Sequence, residues 1–95
     1  MEEVTKKRIT WTEYLEHRAR TRGYDLDVVE HTLRRSTERY YDTATLRTVA
    51  VGKHDKRLVI VPYESDDDSI TPVTIHAVSR AQIDFRIKTG RFIHE

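Results

Sequence analysis

Arg47-Thr48-Val49-Ala50-Val51-Gly52-Lys53-His54-Asp55-Lys56-Arg57-Leu58-Val59-Ile60-Val61-Pro62-Tyr63 holds two β-branched runs separated by a short, glycine-containing connection. Such runs suit strands, and residues 52–56 have the length of a hairpin loop. On either side the vocabulary stays the same, with Tyr40-Tyr41 before this stretch and Ile70 to Val78 after it. The acidic segment Glu64-Ser65-Asp66-Asp67-Asp68-Ser69 makes a second, longer turn. Four strands joined in this way predict an antiparallel meander. Pro62 and Pro72 cannot donate to a ladder, so each belongs at an edge or a bulge.

Upstream, Thr10-Trp11-Thr12-Glu13 has capping-box spacing. Trp11, Tyr14, Leu15 and Ala19 share one helical face, and Gly23 is a C-terminal stop, which places a helix over 10–22. Asp25 can cap a second helix bearing Leu26, Val29 and Leu33, fading near Ser36. Downstream, Ser79-Arg80-Ala81-Gln82 is another capping box and Gly90 another stop, giving a helix over 80–89, although Ile83 to Lys88 also alternates like a strand. The expected fold is α+β, with two N-terminal helices, a four-stranded antiparallel meander sheet and a C-terminal helix. Residues 1–95 form one domain, with 1–9 a flexible N-terminal segment.

Ninety-five residues support a single modest core, which excludes large multi-site enzymes. On the last helix, Ile83 and Ile87 point almost opposite to Ala81, Phe85 and Phe92. So small a domain cannot cover both faces, and Ile83 and Ile87 are assigned to contact with a partner protein. The absence of cysteine removes disulfides, Cys-ligated metals and thiol nucleophiles, and fits a reducing cytosol. No apolar run approaches membrane-spanning length and the N-terminus lacks a signal-peptide core, so a cytoplasmic protein without a membrane partner is expected. Seventeen Lys+Arg against 16 Asp+Glu give +1, but the acidic turn holds four of those acids, and the remainder stands at +5. An anionic partner therefore remains open, because fields act locally.

The run Arg47 to Gly52, then Arg57 to Tyr63, then Ile75-His76-Ala77, resembles the strand core of BrnT-type toxins of bacterial toxin–antitoxin pairs. Arg18-Ala19-Arg20-Thr21-Arg22-Gly23-Tyr24 with Val29 and Leu33 is similar to small domains allied to the RelE-type toxins. The resemblance covers about residues 11–90. It implies a metal-independent endoribonuclease that acts on RNA and is held in check by a cognate antitoxin; self-association into a homodimer is left open. Where those toxins carry a basic residue after the alanine of the last strand, this chain has Val78.

Metal-free RNA cleavage needs a base, an acid and cations to hold the phosphate. His76, among apolar strand residues near an element end, is the lead acid–base candidate, and cross-strand spacing could bring Arg47 or Arg57 towards it with Arg86 above. Arg18 and Arg22, one turn apart, could position phosphates, or could lay their stems along the Trp11/Leu15 stripe. Lys53, His54 and Lys56 form a basic hairpin tip, and Tyr63 could stack on an unpaired base. No cofactor or metal is expected: the five histidines lack paired spacing, and three consecutive aspartates do not alternate as calcium ligands do. Two other classes compete. One is a non-catalytic interaction module with the same fold; the other, weaker, is a helix-turn-helix repressor.

Overall fold

The computed structural model describes residues 7–95. It is an α+β protein with three helices and one mixed sheet of seven strands. In chain order these are β1 (Arg8–Ile9), α1 (Glu13–Arg22), α2 (Leu26–Arg35), β2 (Arg39–Asp42), β3 (Arg47–His54), β4 (Arg57–Ser65), β5 (Ser69–Pro72), β6 (His76–Ala77), α3 (Arg80–Lys88) and β7 (Phe92–His94). The sheet order is β1-β5-β4-β3-β2-β7, with β6 also paired to β4.

Each helix is bounded by chemistry visible in the sequence. Thr12, not Thr10, caps α1: it is extended and its hydroxyl accepts from the Leu15 N–H at 3.1 Å, so the helix begins three residues later than the spacing suggests. Gly23, at φ 77°, ends it, with Tyr24 N–H donating to the Ala19 carbonyl at 2.7 Å. Asp25 caps α2 through the Asp27 N–H. Both halves of the Ser79/Gln82 capping box are formed, and α3 prevails over the strand-like alternation of the same residues.

Two edge pieces extend the expected four strands, and one of the four is split in two. Arg8 and Ile9, expected to be flexible, pair in parallel with Ser69 and Ile70, and Arg34 Nη1 donates to the Lys7 carbonyl at 2.8 Å; the rest of that segment, residues 1–6, lies outside the described residues. The chain after Gly90 returns as β7 alongside β2. The strand expected over residues 70–78 is broken into β5 and β6, both antiparallel to β4. Tyr63 pairs with Pro72 but Ile60 pairs with His76, so residues 73–75 contain one residue more than the β4 stretch they face. This is a bulge, and it follows Pro72, which has no N–H to continue the ladder. The expected turn at 52–56 is shorter: β3 runs on to His54, which pairs with Arg57, leaving Asp55 (φ 57°) and Lys56 as a two-residue turn.

The helices cover both sheet faces. Leu15, Ala19, Val29 and Leu33 of α1 and α2 pack on Ala50, Val59, Val61, Tyr63, Ile70 and Ile75. On the other face Ile83 of α3 packs on Val49, Val51, Ile60, Tyr40 and Phe92, with Ile87 against the same cluster. The assignment of Ile83 and Ile87 to a partner interface is therefore corrected. Ile83 is 0% exposed, because the apolar side of β3 and β4 that α1 and α2 leave bare needs a cover and α3 supplies it; Phe85, 66% exposed, is the outward residue.

Two contacts fix the α2 layer. Thr32 of α2 sits so close to Gly52 that a Cβ there would lie 2.7 Å from Thr32 Cγ2, so glycine is required for close approach rather than for a turn. Arg39, 8% exposed, donates from Nη2 to the Leu33 carbonyl (2.6 Å), from Nε to the Ser36 carbonyl (3.0 Å) and from Nη1 to the Tyr63 hydroxyl (3.0 Å). Gly52→Ala should destabilise by about 1–3 kcal/mol through overpacking, and Thr32→Ala in the same chain should recover part of that loss in urea unfolding. Arg39→Met should cost about 2–4 kcal/mol, because it orphans carbonyls at a buried helix end.

Candidate functional site

His76 lies on the short strand β6 at the edge of β4, and the bulge decides which way it faces. Pairing with Ile60 puts its side chain on the α3 side of the sheet, while Ile75 enters the core on the opposite side. The imidazole is half-buried. Burial pushes its pKa below the ordinary 6.5, and the positive charges of Arg22, Arg86, Arg18 and Arg91 push it the same way. Arginines from α1, from α3 and from the segment after α3 thus bear on one histidine.

Each arginine is held differently. Arg22 Nη1 donates to the carbonyl of Ile75, the residue before His76, at 2.9 Å. The Arg18 guanidinium lies 5.2 Å from the centre of the Tyr14 ring, and its Nε is buried with no hydrogen-bond partner among the described residues. Thr74 Oγ1, in the bulge, is the other such atom among the described residues. Arg86 lies over the Phe92 ring at 5.4 Å. Arg91 forms a two-pronged pair with buried Asp42, Nε to Oδ1 at 3.0 Å and Nη2 to Oδ2 at 3.1 Å. Burial alone would raise the Asp42 pKa, but hydrogen bonds from Arg91 and the Ala44 N–H outweigh it and hold the carboxyl below its usual range. Arg86 and Arg91 also border a hollow of about 420 Å³ beside Phe85.

Of the expected site residues, Arg22, Arg86 and Arg18 are the ones whose charge bears on His76, and Arg22 is bonded to the backbone beside it. Arg47 and Arg57 do not join them. Arg47 is level with Glu64, four residues along β4 from Ile60, or about 13 Å at strand rise, and its Nε is bonded to Glu64 Oε2 at 3.1 Å. Arg57 is an odd position of β4, so it faces away from Ile60 and His76. Tyr63 is 5% exposed and receives the Arg39 hydrogen bond, which removes it as a base-stacking surface. His54 is engaged structurally: its Nε2 accepts from the Asp25 N–H at 3.2 Å and its ring meets Tyr24 edge-on, tying the hairpin tip to the α1–α2 corner. Lys53 and Lys56 are exposed on that hairpin. Arg91 was missed. Its one sequence signal is a basic residue directly after the helix-stopping Gly90.

The acidic turn is a tied loop. Asp66 accepts from the N–H groups of Ser69 (2.8 Å) and Asp68 (2.9 Å), and these bonds hold its carboxyl below the usual range. Among the described residues no group of three or more His, Asp or Glu could hold a metal ion, and no helix is long and apolar enough to cross a membrane. A neutral imidazole flanked by guanidinium groups can take a proton from a hydroxyl while the cations hold a phosphate group. No protein-family model matches the chain, and comparison with curated proteins and with solved structures finds no match.

The electrostatics set two acid-sensitive windows. The folded-state pKa of His76 is depressed, so the unfolded chain takes up its proton first; that contribution to stability is complete above about pH 6.5 and is lost as pH falls through the folded value. Asp42 and Glu38 are depressed too, Glu38 chiefly by its hydrogen bond from Arg80, so their contributions fail only below their ordinary 3.8 and 4.5. Thermal unfolding between pH 7 and pH 5 (roughly the histidine range) should show falling stability in wild type. In His76→Gln that slope should flatten while the lower window persists.

Proposed function

We propose that this chain binds RNA at the His76 edge and cleaves it without a metal, as the toxin of a toxin–antitoxin pair. One observation carries the reading: a half-buried histidine on a bulged edge strand, biased towards its neutral form by burial and by the charges of four arginines, with Arg22 bonded to the Ile75 carbonyl beside it. The order of two helices, an antiparallel β2–β3–β4 core and a closing helix supports the RelE/BrnT-like arrangement that the strand motifs suggested.

In this reaction His76 takes the 2′-hydroxyl proton, the 2′-oxygen bonds to phosphorus, and the bond from phosphorus to the 5′-oxygen breaks. The products are a 2′,3′-cyclic phosphate and a 5′-hydroxyl whose proton comes from water. Arg22, Arg86 and Arg18 offset the charge that builds on the phosphoryl oxygens, and Arg91, anchored by Asp42, supplies the fourth positive group.

With a labelled RNA and excess chelator, wild type should give cyclic-phosphate ends. His76→Ala should cleave about 100- to 10,000-fold more slowly while still binding, as expected for loss of a general base. Arg22→Ala should weaken binding and steepen its loss with salt less than in wild type, since one phosphate contact is gone. Equal cleavage by wild type and His76→Ala would sink the catalytic reading. Binding without any cleavage would favour a non-catalytic module on the same fold.

A further inference from the structure

The hollow beside α3 shares two arginines with the His76 site. Arg86 and Arg91 line it together with Phe85, Gln82 and Thr89. Its volume of about 420 Å³ suits a group the size of one nucleotide, lying in the lower part of the range for small-ligand sites. Phe85 is 66% exposed, and it is an aromatic residue on a helix whose other large apolar side chains, Ile83 and Ile87, are committed to the core. Isolated exposed apolar residues need no explanation, but this ring borders a cavity whose charged lining residues are both cationic.

The polar groups around the ring are placed to act. Gln82 uses its Oε1 to accept from the Ser79 N–H at 2.8 Å, so its amide orientation is fixed by the capping box, and its NH₂ makes no hydrogen bond among the described residues. Arg91 is clamped by Asp42 and Arg86 rests on Phe92, so neither guanidinium needs large rearrangement to meet an anion at the rim. A flat π-system on Phe85, with the cationic Arg86 and Arg91 on the same hollow to meet its phosphates, matches an unpaired base in a single strand. A base-paired duplex does not present such a face.

We propose that this hollow is a base-binding subsite in which Phe85 stacks an unpaired nucleobase of single-stranded nucleic acid, Gln82 donates to the base edge, and Arg86 and Arg91 hold the adjoining phosphates. This rests on the RNA-binding reading of the His76 edge and specifies its substrate as single-stranded.

The test uses the full chain and a set of short single strands with 2′-deoxy sugars, which lack the attacking hydroxyl, each carrying 2-aminopurine at a different position. Binding should quench the fluorophore at one position. Phe85→Ala should abolish that quench and weaken binding by about 5- to 150-fold, the usual worth of one stacked base, while Phe85→Trp retains both. An abasic residue at that position should weaken wild type similarly and leave Phe85→Ala indifferent.

Phe85→Ala binding within about twofold of wild type, or a preference for duplex, would overturn the subsite; if that variant instead lost only association with a protein, the hollow would be a protein contact. Arg22→Ala separates the two readings. Loss on Arg22→Ala with none on Phe85→Ala removes the subsite alone, the reverse removes the His76-edge reading alone, and no binding by wild type removes both.

Discussion

Val59 and Val61 face one way from the central strand and Ile60 the other, and all three are buried, so both faces of the sheet must be covered. For a chain of this size the constraint consumes every helix among the described residues. The α1–α2 pair is committed to one face, and α3 alone must close the other, which is why Ile83 and Ile87 turn inward and Phe85 is left outside. It also explains where a site can form. Central positions are filled by packing, and the half-buried histidine that feels charge from α1 and α3 lies at the β6 edge.

Arg39 shows how the layers are registered. A guanidinium buried without a carboxylate would be costly, yet this one rests at the C-terminal end of α2, where unpaired carbonyls and the negative end of the helix dipole compensate it. Its third bond, to the Tyr63 hydroxyl, crosses β3 to β4. One side chain therefore specifies how far α2 extends and where it sits over the sheet. Tyr40, on the opposite face, does related work: burial, reinforced by its hydrogen bond to Glu38, raises its pKa to about 12, so the hydroxyl remains a donor to a carboxylate that also binds Arg80.

Local chemistry was legible. The Ser79/Gln82 box, the Asp25 cap and the Gly23 stop each depend on neighbours a few residues away, and the β-branched runs of β3 and β4 announce strands. What could not be read is relative placement. Two alternating patterns on 83–88 carry no information about which face meets the sheet, so the side of α3 was inverted. Arg47 and Arg57 have the right chemistry, but strand parity and a Glu64 pair remove them from His76, whereas Arg22 and Arg91, distant in sequence, arrive through tertiary packing. Gly52 reads as a turn residue until the approach of Thr32 is known. Tyr63 reads as a ligand platform until Arg39 is found beneath α2.

The extra residue between Pro72 and His76 makes the orientation of the histidine a matter of count, not of kind. Strand side chains alternate, so the same residues in unbroken register with β4 would set His76 opposite Val59, on the α1 and α2 side, and Ile75 opposite Ile60; the bulge instead returns His76 to Ile60 and sends Ile75 inward. Substitution can tune the site only by degrees, whereas pairing this same sequence without the bulge would remove it in one step. A bulged and a regular pairing of this one sequence have the same composition and present opposite faces of β6.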